Sequence, residues 1–156
     1  MESNEPQENI AEIMAGIEEM ISAHYTACAE QFDSHRDFWL DLAAQELDHA
    51  KWIRELYAQA KTGKVVFHED RFNKDSLREM SGRMELMLAG FRAQTKTMKE
   101  ALQSSLSIES FILEKKYLEI FDSDVPELKF LLERLEKETE GHRNTVKEML
   151  IDFKYS

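Results

Sequence analysis

Hydrophobic residues recur at steps of three and four along most of the chain, which is the spacing of one buried face of an α-helix. The first such stripe predicts a helix from about Asn9 to Phe32, and the second predicts one from about Ser34 to Ala60. Gly63 follows the second stripe after a basic residue, as expected at a helix end. Because short connections make neighbouring helices antiparallel, these two helices are expected to form a hairpin.

The second half of the chain has the same organisation after a long connection. We expect residues 61–96 to be a crossover that contains an additional helix with a cap at Ser76. Thr97 and Glu100 have the spacing of a capping box at the start of the next helix. Pro126 suits the first turn of the last helix. A second helical hairpin is therefore predicted after the crossover.

Composition supports a protein built almost wholly of helices. The 156 residues include five glycines and two prolines, with abundant leucine, methionine, glutamate, lysine and alanine. Strand signals are nearly absent, and we expect the fragment Val65-Val66-Phe67 to pin a connecting loop rather than to form a sheet. The sequence thus predicts a single all-α domain over residues 1–156, in which residues 1–8 are flexible.

Two polar residues interrupt the apolar face of the second helix. That face consists of six residues at steps of three and four: Trp39, Leu42, Glu46, His49, Ile53 and Leu56. Burying a carboxylate and an imidazole there costs several kcal/mol unless another group pairs with them or binds them, and a metal ion is the simplest candidate. Glu18, Glu109 and His142 interrupt the stripes of three other helices in the same way.

Charge and cysteine content exclude several classes of protein. The formal net charge of -11, from 31 acidic and 20 basic residues, argues against nucleic acid and anionic membranes as partners. Cys28 is the single cysteine, so the chain has neither an internal disulfide nor a four-cysteine metal site, and we expect this thiol to be a small buried apolar group. With no signal peptide and no apolar run approaching 18 residues, a soluble cytoplasmic protein is expected.

The interruptions recur with similar spacing in the two halves. Glu18 lies 31 residues before His49, and Glu109 lies 33 residues before His142. Each glutamate follows an isoleucine, and each hairpin has an Asp-Ser pair at its turn. A pseudo-symmetric bundle would bring these four residues together with Glu46. Two imidazoles and several carboxylates suit iron, manganese or zinc.

This order of residues resembles the ferritin-like superfamily. Its di-iron carboxylate bundles use a glutamate from each of two helices and a Glu-x-x-His motif from each of the other two. Residues 38–56, FWLDLAAQELDHAKWIREL, look most like the rubrerythrin branch, and the resemblance covers roughly residues 10–152. It implies a ferritin-like four-helix bundle of two hairpins, and two iron ions with manganese or zinc as alternatives. By analogy, Glu46 and Glu109 are the expected bridging ligands.

The second Glu-x-x-His motif is altered by one residue. The residue three before His142 is Thr139, and Glu138 lies four before it. On a regular helix these positions lie about 60 degrees to one side of the histidine and about 40 degrees to the other. A π-bulge near Gly141 would bring Glu138 into the usual place, and we include Glu138 among the candidate metal ligands. Alternatively, Thr139 faces the core and the second metal site is weakened or lost.

Three functions follow from these residues and from the resemblance. The first is a non-haem di-iron oxidoreductase that reacts with peroxide or dioxygen. Because the chain lacks the cysteine-bound rubredoxin domain that rubrerythrins often carry, an external electron donor is then a required partner. The second is a non-catalytic iron-handling protein that uses the same ligands. The third is a metal-free helical interaction module. Ferritin-like bundles commonly pair through outer helix faces, so a homodimer is expected.

Other polar residues have simpler interpretations. His24 lies off the Glu18 stripe, His35 lies at a turn and His68 in a loop, so we expect all three to be ordinary surface or boundary residues. Tyr25 and Tyr117 occupy nearly matching places in the two hairpins. They suit either hydrogen bonds to ligand carboxylates or plain core packing.

Overall fold

The computed structural model of the chain describes residues 9–93, 96–115 and 117–155. The expectation that residues 1–8 are flexible concerns a segment outside these ranges. Five α-helices are present among the described residues: α1 Ile10–Gln31, α2 Arg36–Lys61, α3 Lys74–Ala93, α4 Met98–Lys115 and α5 Pro126–Tyr155. The structure confirms the all-α class. The assignment of the whole chain to a single domain stays a prediction.

Local capping explains where several helices begin. Thr97 and Glu100 form the predicted capping box: the Thr97 hydroxyl accepts from the Glu100 amide, and the Glu100 carboxylate accepts from the Thr97 amide at 3.1 Å. The predicted cap at Ser76 is wrong. Asn73 caps α3 instead, because its side-chain oxygen accepts from the Asp75 amide at 2.8 Å, and the helix therefore begins at Lys74.

The start of α2 also differs from the prediction at Ser34. A short 3-10 turn, Asp33–His35, follows α1, and α2 begins only at Arg36. His35 stands at the N-cap without a side-chain capping hydrogen bond. The connection between α1 and α2 is nevertheless short, as predicted, and the two helices pack against each other.

The core lies mainly between the helices of each hairpin and between α1 and α3. α1 packs against α2 and α3, and α5 packs against α4 and contacts α2. The Ser22 hydroxyl donates to the Ala43 carbonyl at 2.8 Å, which ties α1 to α2. The largest fully buried apolar side chains come from all of these helices except α3 and from the 3-10 turn before β2: Trp39, Tyr25, Met14, Ile17, Ile21, Ile53, Leu56, Leu102, Ile120 and Leu135. Burial of these side chains holds the helices in the arrangement that positions the polar residues.

Two short strands connect the crossover to the second hairpin. β1, Val66–Phe67, pairs antiparallel with β2, Phe121–Asp122, contrary to the expectation that the β-like fragment forms no sheet. The fragment does pin its loop as expected, and the Ser123 hydroxyl adds a hydrogen bond to the Lys64 carbonyl at 2.7 Å. No hydrophobic pattern around Phe121 predicted β2.

Among the described residues, no helix combines the length and the apolar composition that crossing a bilayer requires.

Candidate metal centre

The six residues predicted as metal ligands lie on four helices and come together in space. Five of them are buried, with at most 3 % of each residue exposed: Glu18 on α1, Glu46 and His49 on α2, Glu109 on α4 and His142 on α5. The side chain of Glu138, also on α5, is 24 % exposed. We call these six residues the candidate centre. Each hairpin contributes three of them, as the internal repeat predicts.

Glu46 lies between the two histidines. Its Oε1 is 2.8 Å from Nδ1 of His142, and its Oε2 is 3.5 Å from Nδ1 of His49. The two imidazole rings are stacked, with centroids 5.2 Å apart and planes inclined by 19°. A single carboxylate therefore presents one oxygen to each imidazole, as a carboxylate that bridges two cations does.

One further carboxylate flanks each histidine. Oε2 of Glu18 is 4.0 Å from Nδ1 of His49, and Oε1 of Glu109 is 3.6 Å from Nδ1 of His142. The Nδ1 atom of each histidine thus faces Glu46 and one other glutamate. Each hairpin thus supplies a glutamate from its first helix beside a histidine from its second helix, which gives the centre two similar halves.

Without a bound cation, the arrangement of these groups is electrostatically unfavourable. Burial, followed by the nearby charge of Glu109, raises the pKa of Glu46 well above its usual value. Glu46 Oε2 and His49 Nδ1 are buried atoms without a hydrogen-bond partner among the described residues, although they face each other. Leaving such atoms unpaired costs about 1–3 kcal/mol each. A cation bound between them would remove this cost, so the donor set fits a metal ion.

Three of the residues offer ligand atoms at mutually suitable distances. One ligand atom from each of Glu46, His49 and His142 lies within 4.8 Å of the others. Imidazole and carboxylate ligands of this kind are used for iron, manganese and zinc. The structure therefore contains a buried cluster that could hold a metal ion.

The outer nitrogen of each histidine has a separate polar partner. Nε2 of His49 lies 3.2 Å from Oε1 of Glu138, and Nε2 of His142 is hydrogen-bonded to the side-chain oxygen of Gln45. An acceptor at Nε2 favours the ring form that carries its proton there, which leaves the Nδ1 lone pair facing the carboxylates. Glu138 and Gln45 thus orient both imidazoles for binding a cation through Nδ1.

The fifth helix is regular at the altered motif. Residues 138–142 are α-helical throughout, so the interpretation that a π-bulge lies near Gly141 is wrong. Thr139 faces the core, as in the alternative, and its hydroxyl donates to the Leu135 carbonyl at 2.9 Å. Glu138 reaches the outer edge of His49 from the flank of the helix. That Glu138 is itself a metal ligand stays a prediction.

Tyr25 supports the second half of the centre. Its hydroxyl donates to Oε1 of Glu109 at 2.6 Å. Burial and the nearby Glu109 raise the pKa of Tyr25 well above its usual value, so the phenol keeps its proton. This is the carboxylate hydrogen bond that the sequence suggested as one of two roles. The side chain of Tyr117 lies outside the part of the chain that the structure describes.

His24 is buried, contrary to the expectation of a surface or boundary residue. Its Nε2 is 3.1 Å from the Ser105 hydroxyl and 3.8 Å from Cys28 Sγ. Burial lowers the pKa of His24 to about 4, so the ring is neutral near pH 7. Cys28 is buried, as predicted, and burial raises the pKa of its thiol to about 12. The spacing from Ile21 to His24 to Cys28, at steps of three and four, was a signal for this burial.

Comparisons of the chain with protein-family models, with curated proteins and with solved structures find no match. The resemblance to the ferritin-like superfamily and its rubrerythrin branch therefore stays a prediction that rests on the residues themselves.

Proposed function

We propose that this chain is a metal-binding protein with a non-haem di-iron carboxylate centre of rubrerythrin-like type. In this proposal α1, α2, α4 and α5 form a ferritin-like four-helix bundle, and α3 lies in the crossover. The observation that carries the proposal is the placement of Glu46, whose two oxygens face Nδ1 of His49 and Nδ1 of His142.

The two halves of the centre support one set of ligands for each ion. His49, Glu18 and Glu46 would hold one iron ion, since the Nδ1 of this histidine faces both carboxylates. His142, Glu109 and the second oxygen of Glu46 would hold the other. The bridging role of Glu46 is supported by these distances, and a bridging role for Glu109 rests on the resemblance alone. Binding would offset the mutual repulsion of three buried carboxylates.

The proposed reaction is the reduction of peroxide or dioxygen. When bound, the pair of iron ions supplies the one-electron oxidation and reduction steps, with electrons from an external donor. The residues of the chain hold the ligand atoms in a buried site and keep bulk water from them. Tyr25 donates to Glu109 and fixes the direction of that carboxylate. Cys28, the single cysteine, is buried and protonated, so it is unsuited to be the electron donor.

The test is the metal content of protein purified without chelator. We expect near two metal ions per chain in the wild type and a clear loss in both His49→Ala and His142→Ala. His68→Ala is the matched control, because this histidine lies in the loop before α3. The metal content of the His68→Ala protein should equal that of the wild type. A wild type without metal, or a loss in His49→Ala alone, would contradict the two-metal centre.

A second measurement separates catalysis from iron handling, which would use the same ligands. Metal-free protein is loaded with ferrous iron under anaerobic conditions and then given peroxide with a chemical reductant. Repeated turnover that is lost in His142→Ala supports the redox proposal. Two bound iron ions without turnover would favour the non-catalytic alternative.

A further inference from the structure

A groove between α2 and α5 reaches the candidate centre from the surface. Its volume is about 550 Å³, and its lining includes three polar groups of the centre or next to it: Gln45, Glu138 and His142. Phe38 and Phe130 form part of its apolar lining. We call this cavity the α2–α5 groove.

The other residues of the candidate centre are almost wholly buried. Glu18, Glu46 and Glu109 are at most 2 % exposed, and His49 is fully buried. The side chain of Glu138 is 24 % exposed and lines the α2–α5 groove. Both outer histidine nitrogens are also paired with groove residues, His49 with Glu138 and His142 with Gln45. The most exposed residue of the candidate centre therefore lies in the lining of this groove.

Glu138 connects the buried centre to the groove. One of its oxygens lies 3.2 Å from Nε2 of His49, and the other accepts from Nε of Arg134 at 2.8 Å. The Arg134 side chain is 55 % exposed, and its guanidinium lies 4.7 Å from the Trp52 ring centroid. Because exposed ion pairs contribute little free energy, a divalent cation can displace this arginine from the carboxylate. Arg134 is then a competitor for the same oxygen.

We propose that the α2–α5 groove is the path by which a divalent metal ion reaches the centre, with Glu138 as the first carboxylate that binds the ion. Asp41 and Glu133 add two acidic groups to the groove, against the charges of Arg134 and Lys137. This inference rests on the proposed function, because it needs a centre that binds metal. It adds the route, the residue that receives the ion and the residue that opposes it.

Gly141 provides a way to block the groove without changing a ligand. It lies in the groove lining, and a Cβ added there meets no atom within 4 Å. Gly141→Phe places an aromatic ring at the groove lining, whereas Gly141→Ala adds only a methyl group. The two variants therefore form a matched pair that differs in how much of the groove the new side chain obstructs.

The experiment measures how fast metal-free protein takes up Co²⁺, followed by visible absorption in a stopped-flow instrument. We expect Gly141→Phe to slow uptake by about tenfold relative to Gly141→Ala, with the same final number of ions bound. Arg134→Gln should accelerate uptake by about threefold, because it removes the competing cation. Arg54→Gln is its control, since Arg54 pairs with Glu12 and Glu19 outside the groove and has the same charge change.

The outcomes distinguish this inference from the proposed function. A wild type that binds no Co²⁺ would refute both. Two bound ions, with equal uptake rates in Gly141→Phe and Gly141→Ala and no acceleration in Arg134→Gln, would overturn the access path alone. If Gly141→Phe fails to fold, as judged by its far-ultraviolet circular dichroism, the uptake rates of Arg134→Gln and Arg54→Gln test the access path. Equal rates in these two variants would then overturn it.

Discussion

Two clusters of buried polar residues each include a residue of α1, but they differ in the charge that burial leaves to be neutralised. The candidate centre contains Glu18 of α1, and six residues further along α1 His24 meets Cys28 and Ser105, which we call the His24 cluster. Both groups are buried and both contain an unpaired histidine nitrogen. The His24 cluster contains only groups that are neutral near pH 7. The centre combines three buried glutamates, which need protons or a cation.

The difference appears in the direction of the pKa shifts. Burial lowers the pKa of His24 and raises the pKa of Glu46, so burial favours the neutral form of each. The pH dependence of stability is therefore opposite for the two groups. The His24 contribution is complete above pH 6.5 and is lost as the pH falls toward 4. The Glu46 contribution is complete below the usual glutamate pKa and is lost as the pH rises through its raised value.

The largest effect expected of a single residue is the acid destabilisation caused by His24. Unfolded His24 takes up a proton near pH 6.5, whereas the folded protein resists this until about pH 4. Metal-free protein should lose about 3 kcal/mol of unfolding free energy from this residue between those values. Urea denaturation of the wild type and of His24→Leu at several pH values measures the difference. An equal pH slope in the two proteins would contradict the assigned state of His24.

Metal addition should act on the centre and leave the His24 cluster unaffected. At a free Co²⁺ concentration one hundred times the dissociation constant, the wild type should gain about 2.7 kcal/mol of stability for each ion bound. His24→Leu should show the same gain from its own starting value, and His142→Ala should show a smaller gain. Thermal denaturation with and without the ion tests this. An undiminished gain in His142→Ala would place the binding elsewhere.

Removal of the hydroxyl at Ser105 should affect only the His24 cluster. Ser105→Ala leaves the buried Nε2 of His24 without its acceptor and should cost about 2 kcal/mol. Ser107→Ala is the control: its hydroxyl is exposed on the same helix, and the change should stay within about 0.5 kcal/mol. Urea denaturation gives both values. Loss of Co²⁺ binding in Ser105→Ala would show that the two groups of residues are coupled.

The smallest expected effect is that of Glu46→Gln in the presence of chelator. Because glutamine resembles the protonated carboxyl group, we expect the metal-free stability at pH 7 to change by no more than about 1 kcal/mol. The same variant should lose the stabilisation by Co²⁺. Chemical denaturation with chelator and with Co²⁺ provides the comparison. A large cost without metal would mean that the ionised carboxylate of Glu46 already stabilises the metal-free protein.

Five of the six residues of the centre could be located from the sequence because each interrupts a regular apolar stripe. A charged residue in such a stripe is costly to bury, so Glu46 and His49 can be recognised as unusual without any tertiary information. The relation between the halves also followed from the repeat. The structure adds which histidine nitrogen faces which oxygen, since this depends on side-chain rotamers.

Other features depended on tertiary packing that the stripes do not encode. His24 was expected near the surface because it lies off the Glu18 stripe, but α1 packs against both α2 and α3 and is buried over a wide arc. Gln45 and Arg134 lie beside the stripes of their own helices, and only the approach of α2 to α5 gives them a role. The regularity of α5 before His142 could not be predicted from the sequence. A π-bulge would have brought Glu138 toward the centre, and a regular helix brings Thr139 toward the core.

The pairing of β1 with β2 has a consequence for the order in which the protein forms during synthesis. Val66 and Asp122 are far apart in sequence, so their pairing must wait until α4 and the residues after it have been made. The first hairpin emerges earlier with Glu18, Glu46 and His49 but without their partners. A nascent chain at that stage offers a metal ion half of the ligands. In the proposed function, complete capture of metal therefore becomes possible only after translation of α5.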